Sequence, residues 1–223
     1  LRIVVDSPRG VEVAAASGLA LGVFIKVDVG LHRCGVDPQG GEALELARQV
    51  VAAPNLAFRG ILSHAGQVYA VEERQAAVEI AEAERMTMME VRDELVTAGI
   101  EVAEVSVGAT PTVLAAVSFE GITEIRPGNY AFLDLLPIKV GVVAHEDVAL
   151  SVLATVISKN DEFFIADAGS KTLTSDTGGH GMASAAGFGT AYPVDDYLDQ
   201  GKALMVAGLS EEHGKLARGH YDL

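Results

Sequence analysis

Apolar and polar positions alternate in blocks along the first 130 residues. Short apolar runs at Leu1–Asp6, Gly22–Val29, Leu56–Ser63, Val102–Val107 and Ile122–Arg126 predict five strands. Between them lie helical patterns. Val11–Leu19 has the small apolar residues of a packed helix, and Pro38–Ala53 puts Leu44, Leu46, Ala47 and Val50 on one face. Glu72–Ala98 is long and amphipathic and is stopped by Gly99, and a shorter helical run covers Val113–Ser118. This regular alternation is the signature of parallel β/α units. A polar or glycine-rich loop follows each strand: Asp6-Ser7, Asp28–Arg33, His64–Tyr69, Gly108–Thr112 and Arg126–Tyr130. In a β/α barrel that rim is where sites are built. An open doubly wound sheet would place its site at the same end.

The pattern changes after Asp134. Val148–Ser158 and Glu162–Ala166 alternate like strands, Thr172–Gly189 is rich in Gly, Ser and Thr, and Lys202–Gly208 is a further strand candidate. No long amphipathic helix is predicted there. The expected division is residues 1–134 as a β/α domain and 135–223 as a mostly β domain that does not finish.

Composition narrows the function classes. At 49% hydrophobic, with 24 Gly and no Trp in 223 residues, the chain reads as a soluble α/β enzyme-like protein. A net charge of −15 disfavours nucleic acid and anionic membranes as partners. Any anion site must therefore rest on backbone donors and a few placed cations. The single cysteine, Cys34, excludes an internal disulfide framework and fits a reducing compartment such as the cytoplasm. No apolar run reaches membrane-spanning length. The chain opens directly on a strand and ends without a completed element, so it is expected to be an internal fragment of a longer protein.

Two stretches carry the anion argument. Val105–Thr112, VSVGATPT, reads as a strand entering a loop and then a helix, an arrangement that gathers free N–H groups. Thr110 and Thr112 add hydroxyls, and Gly108 allows close backbone approach. In Ile125–Asp134, IRPGNYAFLD, the Gly128-Asn129 turn is placed to close over the same anion. A helix cap and an ordinary turn would read the same way. Arg33 sits where it could meet a carboxylate or a ring face, or form a loop salt bridge. Asp28, in an apolar strand, needs a partner, for which Arg33 or Lys26 would serve. His64 and Gln67, with Tyr69 close behind, aim donors at the rim. Asp167–Lys171 ends a strand of the second domain, as a shared polar group or as a solvated turn. His145, His180, His213 and His220 lack paired metal-ligand spacing, and neither a nucleophile elbow nor a Walker loop is present.

Six segments in order carry a resemblance: VDVGLHRCGV (27–36), GILSHAGQVY (60–69), VSVGATPT (105–112), ITEIRPGNYAFLD (122–134), IADAGSKTLTSD (165–176) and LSEEHG (209–214). Together they resemble the fold-type III pyridoxal 5′-phosphate enzymes, in the branch of D-threonine aldolase and D-serine dehydratase with the alanine racemase-like barrel. The resemblance implies strands four to eight of a (β/α)8 TIM-type barrel, followed by a β domain. It assigns Gly108, Thr110, Gly128 and Asn129, with Tyr130 beside them, to the cofactor phosphate, and puts Arg33, His64 and Tyr69 near the ring or substrate. Ala109 stands where relatives often carry a hydroxyl. The family's Schiff-base lysine falls before Leu1, and its zinc or manganese ligands fall beyond Leu223. Among the six lysines only Lys26 lies in a barrel strand.

The implied activity is that of a lyase on D-3-hydroxyamino acids, acting as a homodimer. The expectation leans to retro-aldol cleavage, on ALSVLATVIS (149–158) and DAGSKTLTSD, with the dehydratase as the alternative. An amino-acid racemase of the same fold, a non-catalytic cofactor carrier and an unrelated phosphate-binding barrel are the other readings.

Overall fold

The computed structural model describes residues 1–176 and 187–218. The expectations for His180, His220 and much of the Thr172–Gly189 stretch fall outside the described residues. The chain divides into two compact units, Leu1–Tyr130 and Ala131–Leu223.

In the first unit, strands and helices alternate as β1 (Arg2–Val5), α1 (Pro8–Ala16), β2 (Leu21–Lys26), α2 (Glu42–Ala52) and β3 (Leu56–Leu62). They continue through α3 (Arg74–Thr97), β4 (Glu104–Val107), α4 (Thr110–Ala115) and β5 (Glu124–Ile125). All four strand pairings are parallel, and the order is β1-β2-β3-β4-β5. A doubly wound sheet reverses its order at a switch point. Here every strand pairs with the next in sequence, as in an arc of a β/α barrel.

One face of this sheet packs on the helices. Val23, Ile25, Val27, Ile61, Val105 and Val107 meet Ala47, Val50, Met88, Val91 and Leu95 in a continuous buried cluster. On the other face, Arg2, Arg59 and Glu104 join in ion pairs at the amino ends of the strands. Polar side chains on this face are tolerated because each finds a charged partner.

Helix starts differ from the periodicity: α2 begins at Glu42, four residues after the expected Pro38, and α3 at Arg74, two after Glu72, while two others begin early for local reasons. Pro8 sits in the first turn of α1 behind a Ser7 cap, whose hydroxyl accepts from the Gly10 N–H at 3.3 Å, so the helix begins three residues early. Pro111 in the first turn of α4 likewise draws its start from Val113 back to Thr110. At six residues, α4 is a weak dipole, and the anion argument there rests on side chains and loops instead.

The second unit opens on a short helix, α5 (Leu135–Lys139), and continues into strands β6 (Val156–Lys159), β7 (Phe163–Ala166), β8 (Thr190–Ala191), β9 (Leu204–Leu209) and β10 (Gly214–Ala217). They form an antiparallel sheet in the order β6-β7-β10-β9-β8, around Phe164, Ala166, Leu204, Val206 and Leu216. Of the expected Val148–Ser158 strand, residues 148–155 stay outside the sheet. β6 is an edge strand with all four residues exposed, so its alternation has no buried face to report.

Candidate functional site

The carboxyl ends of β2 to β5 bring together most of the charged groups that the sequence put on the rim. Lys26 ends β2 and is buried; Ser63 and His64 follow β3; Gly108 follows β4; Arg126 follows β5. Arg126 is the hub that the sequence reading passed over. Its Nε donates to Ser106 Oγ at 2.8 Å, and its Nη2 donates to the Ser63 carbonyl oxygen. The Ser106 hydroxyl in turn donates to Glu124.

Gly108 is held from two sides. Its carbonyl oxygen accepts from His64 Nδ1, and its backbone favours the charged form of the Glu84 carboxylate. Only a glycine fits, because a Cβ here would stand 2.8 Å from the Arg126 carbonyl oxygen. Gly108 therefore lets β4 pack closely against Arg126. The bond to a carbonyl fixes the proton of His64 on Nδ1 and leaves Nε2 as an acceptor. Burial holds the His64 imidazole below its ordinary pKa, and the Lys26, Arg33 and Arg126 charges add to that, although the Gly108 carbonyl opposes it. Lys26 is pushed down to about 8, by burial first and then by Arg126.

The two loops expected to share an anion do meet. The Asn129 N–H donates to the buried Thr110 hydroxyl at 3.3 Å. Gly128 beside it faces open space. Tyr130 is exposed, Arg33 is exposed on the loop after β2, and Tyr69 is half-buried in the short 3-10 turn Gly66–Ala70. The charge of Arg33 reaches both Lys26 and His64.

Asp28 is partnered otherwise than expected. Its carboxylate accepts from the N–H groups of Gly30 and His32 at 3.0 Å and from His32 Nδ1 at 2.9 Å, and neither Arg33 nor Lys26 is its partner. Burial alone would raise its pKa, but these hydrogen bonds outweigh it and lower it. The loop is thereby shaped by its own backbone, with His32 in the left-handed region at φ 54°. Gln67 donates from Nε2 to the Val29 carbonyl oxygen at 2.7 Å, which fixes its amide. Its buried Oε1 is then an acceptor without a hydrogen-bond partner among the described residues.

Glu84 is the other group that sequence reasoning missed. It lies on α3 with 2% of its surface exposed, and it accepts from Ser63 Oγ at 2.6 Å. Its signal was present in the spacing: Ala77, Ala81, Glu84, Met88, Val91 and Leu95 form the buried stripe of α3, so a carboxylate occupies a core position.

In the second unit, Asp167 Oδ1 accepts from the Thr155 N–H at 2.7 Å, and Lys171 pairs with Glu211 and Glu212. These bonds staple a turn, as the solvated reading of Asp167–Lys171 expects. Among the described residues, no three His, Cys, Asp or Glu side chains gather as a metal site. No described helix is long and apolar enough to cross a membrane.

Comparison with known proteins assigns both units. Residues 1–135 match the family described as alanine racemase, N-terminal domain, and residues 149–222 match a putative serine dehydratase domain. Over 98% of its length the chain is 36% identical to the D-threo-3-hydroxyaspartate dehydratase of Delftia sp. (strain HT23), of which it covers 58%. It is 34% identical over 70% of its length to the D-serine dehydratase of Dictyostelium discoideum, covering 42% of that protein. To a D-threonine aldolase of Arthrobacter sp it is 31% identical over 73%, covering 43%. The chain thus spans about half the length of these relatives. The solved structure of the Delftia dehydratase superposes with a TM-score of 0.88 over 99% of this chain and 59% of that one.

Proposed function

The chain belongs to the family of the alanine racemase N-terminal domain, and on that premise we propose that it is part of a pyridoxal phosphate-dependent lyase of D-3-hydroxyamino acids, of the dehydratase type. The earlier lean to retro-aldol cleavage is not favoured. The dehydratase relative is 36% identical across 98% of the chain, whereas the aldolase is 31% identical across 73%.

One observation carries the cofactor reading. In a chain of net charge −15, Lys26, Arg33, His64 and Arg126 converge on one rim, beside two loops joined by the Asn129–Thr110 hydrogen bond. Such a convergence suits a dianionic phosphate and a ring oxygen. The Thr110 hydroxyl, the open Gly128 backbone and Asn129 would hold the phosphate, with Tyr130 at its edge. Arg33, His64 and Tyr69 would face the ring or the substrate. Gly108, which lets β4 approach Arg126, would stand with Thr110 and Gly128 at the phosphate. When bound, the cofactor supplies an electron sink for the substrate's α-carbon.

The protein's own groups then do the rest. The cationic rim orients the substrate carboxylate, and Gln67 Oε1 accepts from an ammonium or hydroxyl. Loss of the α proton and of the 3-hydroxyl as water is followed by tautomerisation and hydrolysis, which returns the water and yields a 2-oxo acid and ammonia. The described residues do not form a divalent-metal site, and no step is assigned to a metal. A homodimer is part of the same proposal, and sedimentation of the intact protein tests it. The test of the reaction is to supply the intact protein with pyridoxal phosphate and D-serine or D-threo-3-hydroxyaspartate. Ammonia and 2-oxo acid in equal amounts support the dehydratase; glycine and an aldehyde overturn it.

A further inference from the structure

We propose that Glu84 is a positioning residue for this rim: reaching from α3 and bonded to Ser63 at the carboxyl end of β3, its carboxylate supplies the counter-charge for Lys26 and Arg126 from β2 and β5. The inference rests on the rim being the cofactor face.

The geometry is specific. The carboxylate accepts from Ser63 Oγ at 2.6 Å, which fixes the residue before His64, and the Gly108 backbone favours its charged form. His64 closes the other side of Gly108, and Arg126 closes the other side of Ser63 through its carbonyl oxygen. Glu84 is thus the only helix-borne group in a ring of Ser63, His64, Gly108 and Arg126. Its place on the stripe between Ala81 and Met88 would suit an apolar side chain, and an acid there has a desolvation cost that these bonds offset. Burial raises the Glu84 pKa, while Ser63, the Gly108 backbone, Arg126 and Lys26 favour its charged form. Lys26 faces Arg126 at the end of β5, Arg33 and Cys34 on its own loop, and Glu84 from the helix.

The counter-charge is read through Lys26, the sole lysine of residues 1–130. The intact protein, without pyridoxal phosphate, is trace-labelled with acetic anhydride across a pH series, and the Lys26 peptide is quantified by mass. Glu84→Gln keeps the size and the hydrogen-bonding capacity but removes the charge. The expected result is a fall of roughly one pH unit in the Lys26 labelling midpoint. A folded Glu84→Gln protein with an unchanged midpoint overturns the proposal. Should that variant fail to fold, Glu84→Met replaces it: its apolar side chain suits the buried stripe of α3 and removes the same charge, so the midpoint falls in the same direction. No movement there overturns the proposal equally. Because the labelling uses no cofactor, its outcome is independent of whether the rim binds pyridoxal phosphate.

Discussion

Arg2 on β1 and Glu104 on β4 meet at 2.6 Å, although two strands separate them. Three strand spacings of about 4.8 Å put β1 and β4 about 14 Å apart along a flat sheet. The long arginine and glutamate side chains close that gap on the face away from the helices, as the curvature of a barrel wall favours. Arg59 of β3 completes the bridge, with Nη2 at 2.8 Å from Glu104. The curvature places β1 to β5 on an arc, which is the geometry a barrel wall requires.

Glu104→Gln is expected to cost about 1 kcal/mol at neutral pH, because the pairs are part-exposed and only their network adds to them. Burial alone would raise the Glu104 pKa, but Arg59 and Arg2 more than reverse it and hold it below its ordinary value. An acid so lowered stabilises the fold above its unfolded pKa and loses that contribution as pH falls below about 4.5. Urea melts should therefore show the difference between wild type and variant shrinking as pH falls below that point.

Lys26 gives the opposite end of the pH range. Its pKa drops from 10.5 to about 8, chiefly by burial and then by Arg126. Between those values the unfolded chain still holds a proton that the folded chain has released, so stability rises with pH across that window. Lys26→Met is expected to flatten the rise, measured by denaturant midpoints from pH 7.5 to 10.

At Gly108 the expected effect is steric. An added methyl would stand 2.8 Å from the Arg126 carbonyl oxygen and 2.9 Å from Arg126 Cβ. Gly108→Ala should cost about 1–3 kcal/mol, as overpacking does. The His64 ring resonances should shift with it, because His64 bonds the Gly108 carbonyl.

Thr110 separates cofactor contact from folding. Thr110→Val keeps the shape and removes the acceptor of the Asn129 N–H. A stability loss of about 1 kcal/mol is expected from that bond alone. Pyridoxal phosphate affinity of the intact protein should fall about tenfold, measured by fluorescence titration. Unchanged affinity would remove Thr110 from the phosphate site.

Much of this was legible in the sequence, for identifiable reasons. The β/α alternation showed because each strand of the first unit is an apolar run with a buried helix-side face, as in Val23, Ile25 and Val27. Periodicity alone left the strand order open, since a barrel and a doubly wound sheet share the same local pattern; the family resemblance pointed to the barrel, and the sequential pairings agree. The rim positions of Arg33, His64 and Thr110 were legible because they follow apolar strands, and strand-end loops concentrate chemistry. Arg126 and Glu84 were not, since their roles come from contacts 63 and 21 residues away. β10, the strand Gly214–Ala217, escaped because four residues with one buried leucine carry almost no period.

The measurement that tests the account most directly is product analysis of the intact protein loaded with pyridoxal phosphate and given D-threo-3-hydroxyaspartate. The rim geometry and the dehydratase relatives predict ammonia and a 2-oxo acid in equal amounts, with no glycine. Glycine and an aldehyde as the products, or no turnover by a protein that has bound the cofactor, would contradict it.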